Sequence, residues 1–272
     1  MPKDDSAKPP VSLPLDQIIC GDNCEIMRQM PSESIDLVVT SPPYDDLRAY
    51  GGHSWDFYGV AWNLKRLLKP GGVIVWVVAD ATKDGSETGS SFQQAMHFKS
   101  IGMNLHDTMV WHAPGGGAKG SNLSYWQSFE FMFVVSKGRP ACINRLADHP
   151  CSDPGHLSTP AVRAISRRSN KTTRSGEFAI RPNLWAYNTI DLRWDDGGAH
   201  PAKFPELLAR DHILSWSNPG YVVLDPFSGS GTTAKMARET GRRFIGIEVN
   251  PEYVEISRKR LAQQALPMDG EA

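Results

Sequence analysis

Residues 222–233 read VVLDPFSGSGTT, and this stretch decides the fold of the chain. It joins a short apolar strand to a loop of small residues and then to the start of a helix. Gly229 and Gly231 permit positive φ and close backbone approach, and the helix after them turns its free N–H groups towards the loop. About 20 residues further on, a second strand pattern ends in Glu248, a carboxylate suited to a ribose diol.

Two common nucleotide-binding motifs do not match this loop. A phosphate-binding P-loop needs a lysine after its last glycine, whereas Thr232 follows Gly231 directly. The dinucleotide fingerprint G-x-G-x-x-G fails at Ala234, and Asp225 would repel a pyrophosphate. Asp225 suits a ligand that carries an ammonium group. An ammonium, a ribose and an adenine together indicate S-adenosylmethionine.

Strand and helix patterns alternate on both sides of this motif. Near-continuous apolar runs such as residues 35–40 are typical of buried parallel strands, and residues 55–68 are amphipathic. Residues 69–72, KPGG, predict a helix stop followed by a turn. The alternation predicts the α/β class, with a doubly wound, mostly parallel sheet. Strands are expected at 17–20, 35–40, 73–79, 105–112, 129–136, 221–224 and 243–248, and helices at 23–30, 55–68, 92–101, 201–216, 231–240 and 251–264.

One segment interrupts the alternation. Residues 137–199 are polar, rich in Pro, Ser, Arg and Trp, and only weakly periodic, which indicates an insertion or a small second domain. The expected organisation is a disordered N-terminal tail, a first half of the main domain, the insertion, a second half and a short tail. The bounds of these five parts are 1–13, 14–136, 137–199, 200–265 and 266–272.

Composition limits the class of protein. The 272 residues, 40% hydrophobic and 22% charged, are typical of a globular protein, and no apolar segment approaches membrane-spanning length. The N-terminus shows no apolar signal region, so a cytoplasmic enzyme without a membrane partner is expected. The four cysteines form no C-x-x-C pair and no His cluster has zinc-ligand spacing, so no metal site is expected. A net charge of −1 argues against a wholly basic nucleic-acid coat but allows a local basic patch.

A second informative segment, Ser41-Pro42-Pro43-Tyr44, follows the strand pattern at 35–40. The prolines lack N–H donors and fix φ, and the first of them holds Ser41 extended. The result is a stiff loop that offers carbonyl oxygens, a hydroxyl and a flat ring. Such a surface accepts hydrogens from an amino group and stacks on a planar ring. Taken alone, the four residues also fit a rigid turn.

Together, S-P-P-Y at 41–44 and D-P-F-x-G-S-G-T at 225–232 resemble the family of DNA amino-methyltransferases that modify exocyclic amines. The order of the two motifs is similar to that of the beta class. Residues 200–205, HPAKFP, match a further motif of the family, and the resemblance covers about residues 17–136 and 200–264. It implies a Rossmann-like methyltransferase sheet in which residues 137–199 are a target-recognition insertion.

The resemblance also implies a binding site for S-adenosylmethionine. The glycine loop would line the methionine side and Glu248 would bind the ribose hydroxyls. Asp22 would lie near the adenine, although it also fits a helix N-cap. Lys203 would close the pocket or else lie on a solvated helix face. The full predicted set is Asp22, Thr40, His200, Lys203, Pro205, Asp225, Pro226, Phe227, Ser228, Gly229, Ser230, Gly231, Thr232 and Glu248.

The predicted catalytic residues are Ser41, Pro42, Pro43 and Tyr44. An exocyclic amine is a poor nucleophile because its lone pair is delocalised into the ring. Ser41 Oγ and the Pro42 carbonyl would hold its hydrogens while the nitrogen attacks the sulfonium methyl in line. No covalent enzyme intermediate is needed. The base must be flipped out of the duplex, where Tyr44 would stack on it, unless Tyr44 is a core aromatic.

The identity of the base depends on Ser41. Relatives with Ser at this position mostly modify cytosine N4, whereas those with Asp or Asn mostly modify adenine N6. Ser41 therefore favours cytosine N4, with adenine N6 as the alternative. A catalytically silent DNA-binding module is the alternative from another class, and the intact Ser41, Asp225 and Glu248 argue against it.

A basic segment within the insertion predicts DNA contact. Residues 161–182 carry six Arg and Lys side chains against the single acid Glu177, and such side chains bind phosphates and base edges. A solvated basic loop is the alternative. The predicted DNA-binding residues are Lys119, Arg163, Arg167, Arg168, Lys171, Arg174 and Arg181. Lys119 belongs to a glycine-rich stretch that fits either a flap or a linker. The resemblance implies double-stranded DNA as a partner, and the sequence leaves a homodimer and a cognate restriction endonuclease undecided.

Overall fold

The computed structural model describes residues 12–44, 55–113, 125–155, 157–158, 173–174, 176–188 and 205–263. The strands are β1 (Gln17–Cys20), β2 (Ile35–Thr40), β3 (Leu68–Val78), β4 (Thr82–Lys83), β5 (Ser86–Glu87), β6 (Asn104–His112), β7 (Phe129–Ser136), β8 (His149–Pro150), β9 (Leu157–Ser158), β10 (Thr173–Arg174), β11 (Phe178–Ala179), β12 (Leu184–Ala186), β13 (Val222–Asp225) and β14 (Arg243–Glu248). The helices are α1 (Asn23–Gln29), α2 (Phe57–Leu67), α3 (Ser90–Ser100), α4 (Glu206–Trp216), α5 (Thr232–Glu239) and α6 (Pro251–Ala262).

An eight-stranded sheet forms the centre of the molecule, in the order β1-β14-β13-β2-β3-β7-β6-β12. Strand β7 runs antiparallel to both of its neighbours, and every other pair in the sheet is parallel. The predicted doubly wound, mostly parallel sheet is therefore confirmed. Strand order reverses between β2 and β13, which makes their carboxyl ends the expected ligand-binding edge.

Helices cover both faces of the sheet. Successive strand side chains point to opposite faces, so Val38 packs with α1, α2 and α3, while Leu37 and Val39 pack with α4, α5 and α6. Both layers are apolar and fully buried around β2 and β3, where Trp76 is the largest such side chain. This two-sided burial explains why the central strands read as continuous apolar runs. Across the described ranges, no helix has the length and apolar character needed to cross a bilayer.

The expected turn at residues 69–72 is wrong. Strand β3 begins at Leu68, immediately after α2, and Leu68 pairs with Ile35. The register between β2 and β3 shifts after Ile35, and Gly71 has a φ of 81°, so the KPGG sequence forms an irregularity within the strand. The salt bridge between Lys69 Nζ and Asp36 Oδ1, at 2.8 Å, holds this part of β3 against β2.

The polar segment after β7 returns to the main sheet. Strand β12 pairs in parallel with β6 and forms the eighth strand of the sheet. Near the start of the segment, the Asn144 amide donates to the carbonyls of Leu214 and Ser217 at the end of α4. Two short antiparallel pairs, β8 with β11 and β9 with β10, lie between these attachments. The predicted bounds of the insertion stay a prediction, while its β12 portion belongs structurally to the sheet.

Candidate active site

A buried hydrogen bond joins the carboxyl ends of the two strands at the switch point. Thr40 ends β2 and Asp225 ends β13, and Thr40 Oγ1 donates to Asp225 Oδ1 at 2.7 Å. Both residues are almost completely buried. Since Ser41 follows Thr40 and Pro226 follows Asp225, this contact places the S-P-P-Y segment beside the glycine loop.

Asp225 also shapes the start of the glycine loop. Its Oδ1 accepts the backbone N–H of Phe227 at 3.0 Å, which turns the chain after β13. Burial raises the pKa of Asp225 to about 6, while hydrogen bonds from Thr40, Phe227 and Thr233 act in the opposite direction. The buried carboxylate thus orders the loop from below. Its contact with a methionine ammonium stays a prediction.

The glycine loop is held from behind by helix α6. Gly231 has a φ of 81° and is the N-cap of α5, and a Cβ at this position would lie 2.9 Å from Ser257 Oγ. Ser257 Oγ donates to the Gly229 carbonyl at 2.7 Å. The buried guanidinium of Arg260 donates to the Ser230 carbonyl, the Ser230 hydroxyl and Thr232 Oγ1. These contacts fix the path of the backbone and require small residues in the loop.

Glu248 joins the loop to the end of the neighbouring strand β14. Its Oε2 accepts the Gly229 N–H at 2.8 Å and its Oε1 accepts the Asn250 N–H at 2.9 Å. A carboxylate at the end of the strand that follows the glycine loop is the group expected to accept the hydroxyls of a ribose diol. Two hydrogen-bond-accepting carboxylates beside a glycine loop therefore fit S-adenosylmethionine, whose ammonium and ribose hydroxyl groups donate.

The segment after β1 reaches the same edge of the sheet. Asp22 is the N-cap of α1 and accepts the Glu25 N–H at 2.9 Å, as its helix-capping interpretation requires. The next side chain, Asn23, donates to the Pro226 carbonyl at 3.1 Å and ties α1 to the glycine loop. The proximity of Asp22 to an adenine stays a prediction.

The S-P-P-Y segment contains a short hydrogen-bonded chain. Ser41 Oγ lies 2.7 Å from the Tyr44 hydroxyl, and that hydroxyl donates to Glu130 Oε2 at 2.7 Å. Pro42 is buried and Pro43 is half-buried, so the segment is firmly seated on the sheet. The Tyr44 ring packs against the core but is itself only half-buried. It therefore combines a packing role with a partly accessible ring.

Several predicted residues lie outside the described residues. This applies to the cofactor candidates His200 and Lys203, and to five of the DNA candidates. Pro205 is buried at the start of α4, and Arg174 belongs to β10, where the structure describes its backbone alone. The DNA candidates outside the described residues are Lys119, Arg163, Arg167, Arg168 and Lys171.

The structure does not favour Arg181 as a DNA-binding residue. Its guanidinium forms ion pairs with Asp148 and with the buried Asp211, the latter at 2.7 Å, and it also donates to the Tyr187 hydroxyl. These contacts direct the guanidinium of Arg181 towards other protein groups, and Asp211 is shared with Arg210. Arg181 instead fastens the segment before β12 to helix α4.

Sequence reasoning missed three side chains that shape the site. They are Asn23 and Arg260, which hold the glycine loop, and Glu130, which bonds to Tyr44. Glu130 had one usable signal, because it is the only charged residue in the otherwise apolar and aromatic run of β7 before its final serine. Nothing in the local sequence distinguishes Asn23 or Arg260 from surface polar residues.

A family model described as DNA methylase, which covers N6 and N4 methyltransferases, matches residues 35–259. The chain belongs to the N6/N4 family of DNA methylases. The family expected from the two motifs is thereby confirmed. The matched range includes both the S-P-P-Y segment and the glycine loop.

Similar proteins support this assignment along most of the chain. The chain is 48% identical over 241 residues to the orphan methyltransferase M.BamHII of Bacillus amyloliquefaciens. The aligned region covers 84% of this chain and 89% of that protein. TTHA0409 of Thermus thermophilus, solved in complex with S-adenosyl-L-methionine, is 26% identical with a TM-score of 0.60 and covers 90% and 94% of the two chains. The cytosine-N4-specific PvuII DNA methyltransferase is 24% identical with a TM-score of 0.67 and covers 92% and 87%, a likeness that shows the shared fold.

We predict that Asp225→Asn changes how stability depends on pH. Unfolded aspartate loses its proton near 3.8, whereas buried Asp225 has a pKa of about 6. Between these values the folded state keeps a proton that the unfolded state has lost, so the free energy of unfolding falls as the pH rises. The difference between the two pKa values corresponds to about 3 kcal/mol.

The asparagine variant lacks this titration, so its stability relative to the wild type should rise by about 2.5 kcal/mol between about pH 4 and pH 7. Urea denaturation of both proteins at the two pH values measures the difference, because groups that titrate alike in the two proteins cancel. A stability difference that does not change with pH would contradict the burial of a titrating Asp225.

Proposed function

We propose that this DNA methylase transfers a methyl group from S-adenosylmethionine to the exocyclic amine of a base flipped out of double-stranded DNA, with cytosine N4 as the favoured acceptor. One observation carries the proposal. The Thr40–Asp225 hydrogen bond places the Ser41 hydroxyl and the glycine loop at one edge of the sheet. An amine acceptor and a cofactor loop must be neighbours for direct methyl transfer.

The cofactor would be held by the loop at 226–232 and by Glu248. When bound, S-adenosylmethionine supplies an electrophilic methyl group. Phe227 packs edge-on against Trp55 with ring centroids 4.9 Å apart, which fixes one wall of the loop. The small residues behind that wall leave the backbone close to any ligand at this edge.

Ser41 Oγ and the Pro42 carbonyl would accept the two hydrogens of the amine. Holding both hydrogens favours a tetrahedral nitrogen whose lone pair is directed at the methyl group. The catalytic contribution of these acceptors is positioning and stabilisation of the positive charge that develops on nitrogen. The half-buried Tyr44 ring would stack on the extruded base.

Ser41 supports cytosine as the base, because a hydroxyl stands where adenine-N6 relatives mostly have an amide or carboxylate. The N6/N4 family includes both activities, so the choice is tested by the product. Lys119, Arg163, Arg167, Arg168, Lys171 and Arg174 are the proposed contacts to DNA phosphates and base edges.

Incubation of the purified protein with S-adenosylmethionine and mixed-sequence DNA should produce N4-methylcytosine. Mass spectrometry of the digested nucleosides identifies the product, and Ser41→Ala should lower its rate of formation by about 100-fold or more, because one preorganised acceptor is removed. DNA incubated without protein is the control. If N6-methyladenine is the sole modified base, the proposed cytosine-N4 activity is wrong and the alternative, methylation of adenine N6, is correct.

Replacing Glu248 by Gln should weaken S-adenosylmethionine binding about 10- to 100-fold, because each charge-assisted hydrogen bond contributes about 1.5–3 kcal/mol. Isothermal calorimetry measures the dissociation constant. Glu252→Gln is the matched control, since Glu252 is an exposed glutamate in the first turn of α6. Equal affinities of wild type and Glu248→Gln would remove Glu248 from the cofactor site.

A further inference from the structure

A carboxylate lies at the edge of the sheet beside the S-P-P-Y segment. Glu130 is near the start of β7, which is antiparallel to β3, with Phe131 paired to Val78 at the end of β3. The antiparallel direction brings the start of β7 to the edge of the sheet where β3 and the other strands have their carboxyl ends. A parallel strand in this place would have delivered its other end, so the reversed strand is what brings Glu130 to the site.

The hydrogen-bonded chain from Glu130 to Ser41 has a defined direction. The Tyr44 hydroxyl donates its hydrogen to Glu130 Oε2 at 2.7 Å. A phenol has one hydrogen to donate, so the 2.7 Å contact with Ser41 Oγ is made by the serine hydrogen pointing to the tyrosine oxygen. This arrangement turns the lone pairs of Ser41 Oγ away from Tyr44, in the state required to accept a hydrogen from an amine.

We propose that Glu130 is a positioning residue that orients Ser41 through Tyr44 and is the final acceptor of the proton that the amine loses. The inference rests on the proposed function. As the nitrogen lone pair forms the bond to the methyl carbon, the sulfur takes the electron pair of the breaking S–C bond. The methylated nitrogen becomes positively charged and must lose one proton.

The hydrogen bonds from Ser41 through Tyr44 to Glu130 provide a path for that proton. The amine proton passes to Ser41 Oγ as the serine proton passes to the Tyr44 oxygen and the tyrosine proton passes to Glu130 Oε2. Ser41 and Tyr44 end neutral, as they began, and the Glu130 carboxylate becomes a carboxylic acid. Glu130 is half-buried, so it has a route to release the proton to solvent.

Asp80 and Asp225, two of the other acids at this edge, have different roles in the structure. Asp80, just after β3, accepts the Ser91 N–H at 2.8 Å and the Ser90 and Ser91 hydroxyls, and so holds the start of α3. Asp225 accepts from Thr40 and orders the glycine loop. Among these three described acids, Glu130 is the one that a hydrogen-bonded path through Tyr44 connects to Ser41.

The test is a comparison of Glu130→Gln and Tyr44→Phe with the wild type. Both substitutions preserve shape, and phenylalanine keeps the ring that would stack on the base. Matched controls are Glu255→Gln and Tyr58→Phe, since both residues are exposed on helices. Single-turnover methyl transfer, the KM for DNA and the dissociation constant of S-adenosylmethionine are measured for each protein.

Each relay variant should lower the rate of methyl transfer by about 10²- to 10⁴-fold, as expected for loss of acid–base assistance, with the KM for DNA and the cofactor affinity within about threefold of wild type. The double variant should be no slower than the slower single variant, because both substitutions interrupt one path. The control variants should retain the wild-type rate.

Rates within about threefold of wild type for both relay variants would overturn the proposal, as would losses confined to KM or affinity, which indicate a structural role. Additive losses in the double variant would also overturn it. Wild-type protein that methylates no base would instead refute the proposed function, so the two failures are distinguishable.

Discussion

The hydrogen bond between Thr40 and Asp225 is the constraint on which the site depends. It is buried at the point where strand order reverses, and it joins two strands that are 185 residues apart in sequence. Each strand continues directly into one half of the site. Because the contact is inside the sheet, the S-P-P-Y segment and the glycine loop have a fixed separation before any ligand binds, which is the preorganisation that group transfer needs.

Charged side chains maintain the glycine loop from three directions. Asp225 accepts the Phe227 N–H at the start of the loop, and Glu248 accepts the Gly229 N–H. Arg260 donates to carbonyl and hydroxyl groups of the loop from helix α6. Burying Asp225 opposes its ionisation, as the raised pKa shows. Asp225 is buried where it fixes the backbone of the glycine loop, and buried ionisable groups with shifted pKa values are common at functional sites.

Much of the fold was predictable, because buried strands and glycine-loop motifs are local in sequence. The bounds of β2, β7 and β14 agree with their apolar runs. The turn predicted at KPGG was wrong because Leu68 pairs with Ile35 and a register shift follows, so the four residues belong to β3. The ion pairs of Arg181 were not predictable from the local sequence, since its two carboxylate partners are 30 or more residues away. Glu130 was missed because its importance depends on the antiparallel direction of β7.

S-adenosylmethionine and the base that accepts the methyl group are expected to meet at the joined ends of β2 and β13. A crystal structure of the protein with S-adenosylmethionine tests it most directly. We expect the ribose hydroxyls on Glu248, the methionine portion along the loop at 226–232, and the sulfonium methyl group directed towards Ser41. A cofactor bound at another edge of the sheet, or with its methyl group directed away from Ser41, would contradict this arrangement of the site.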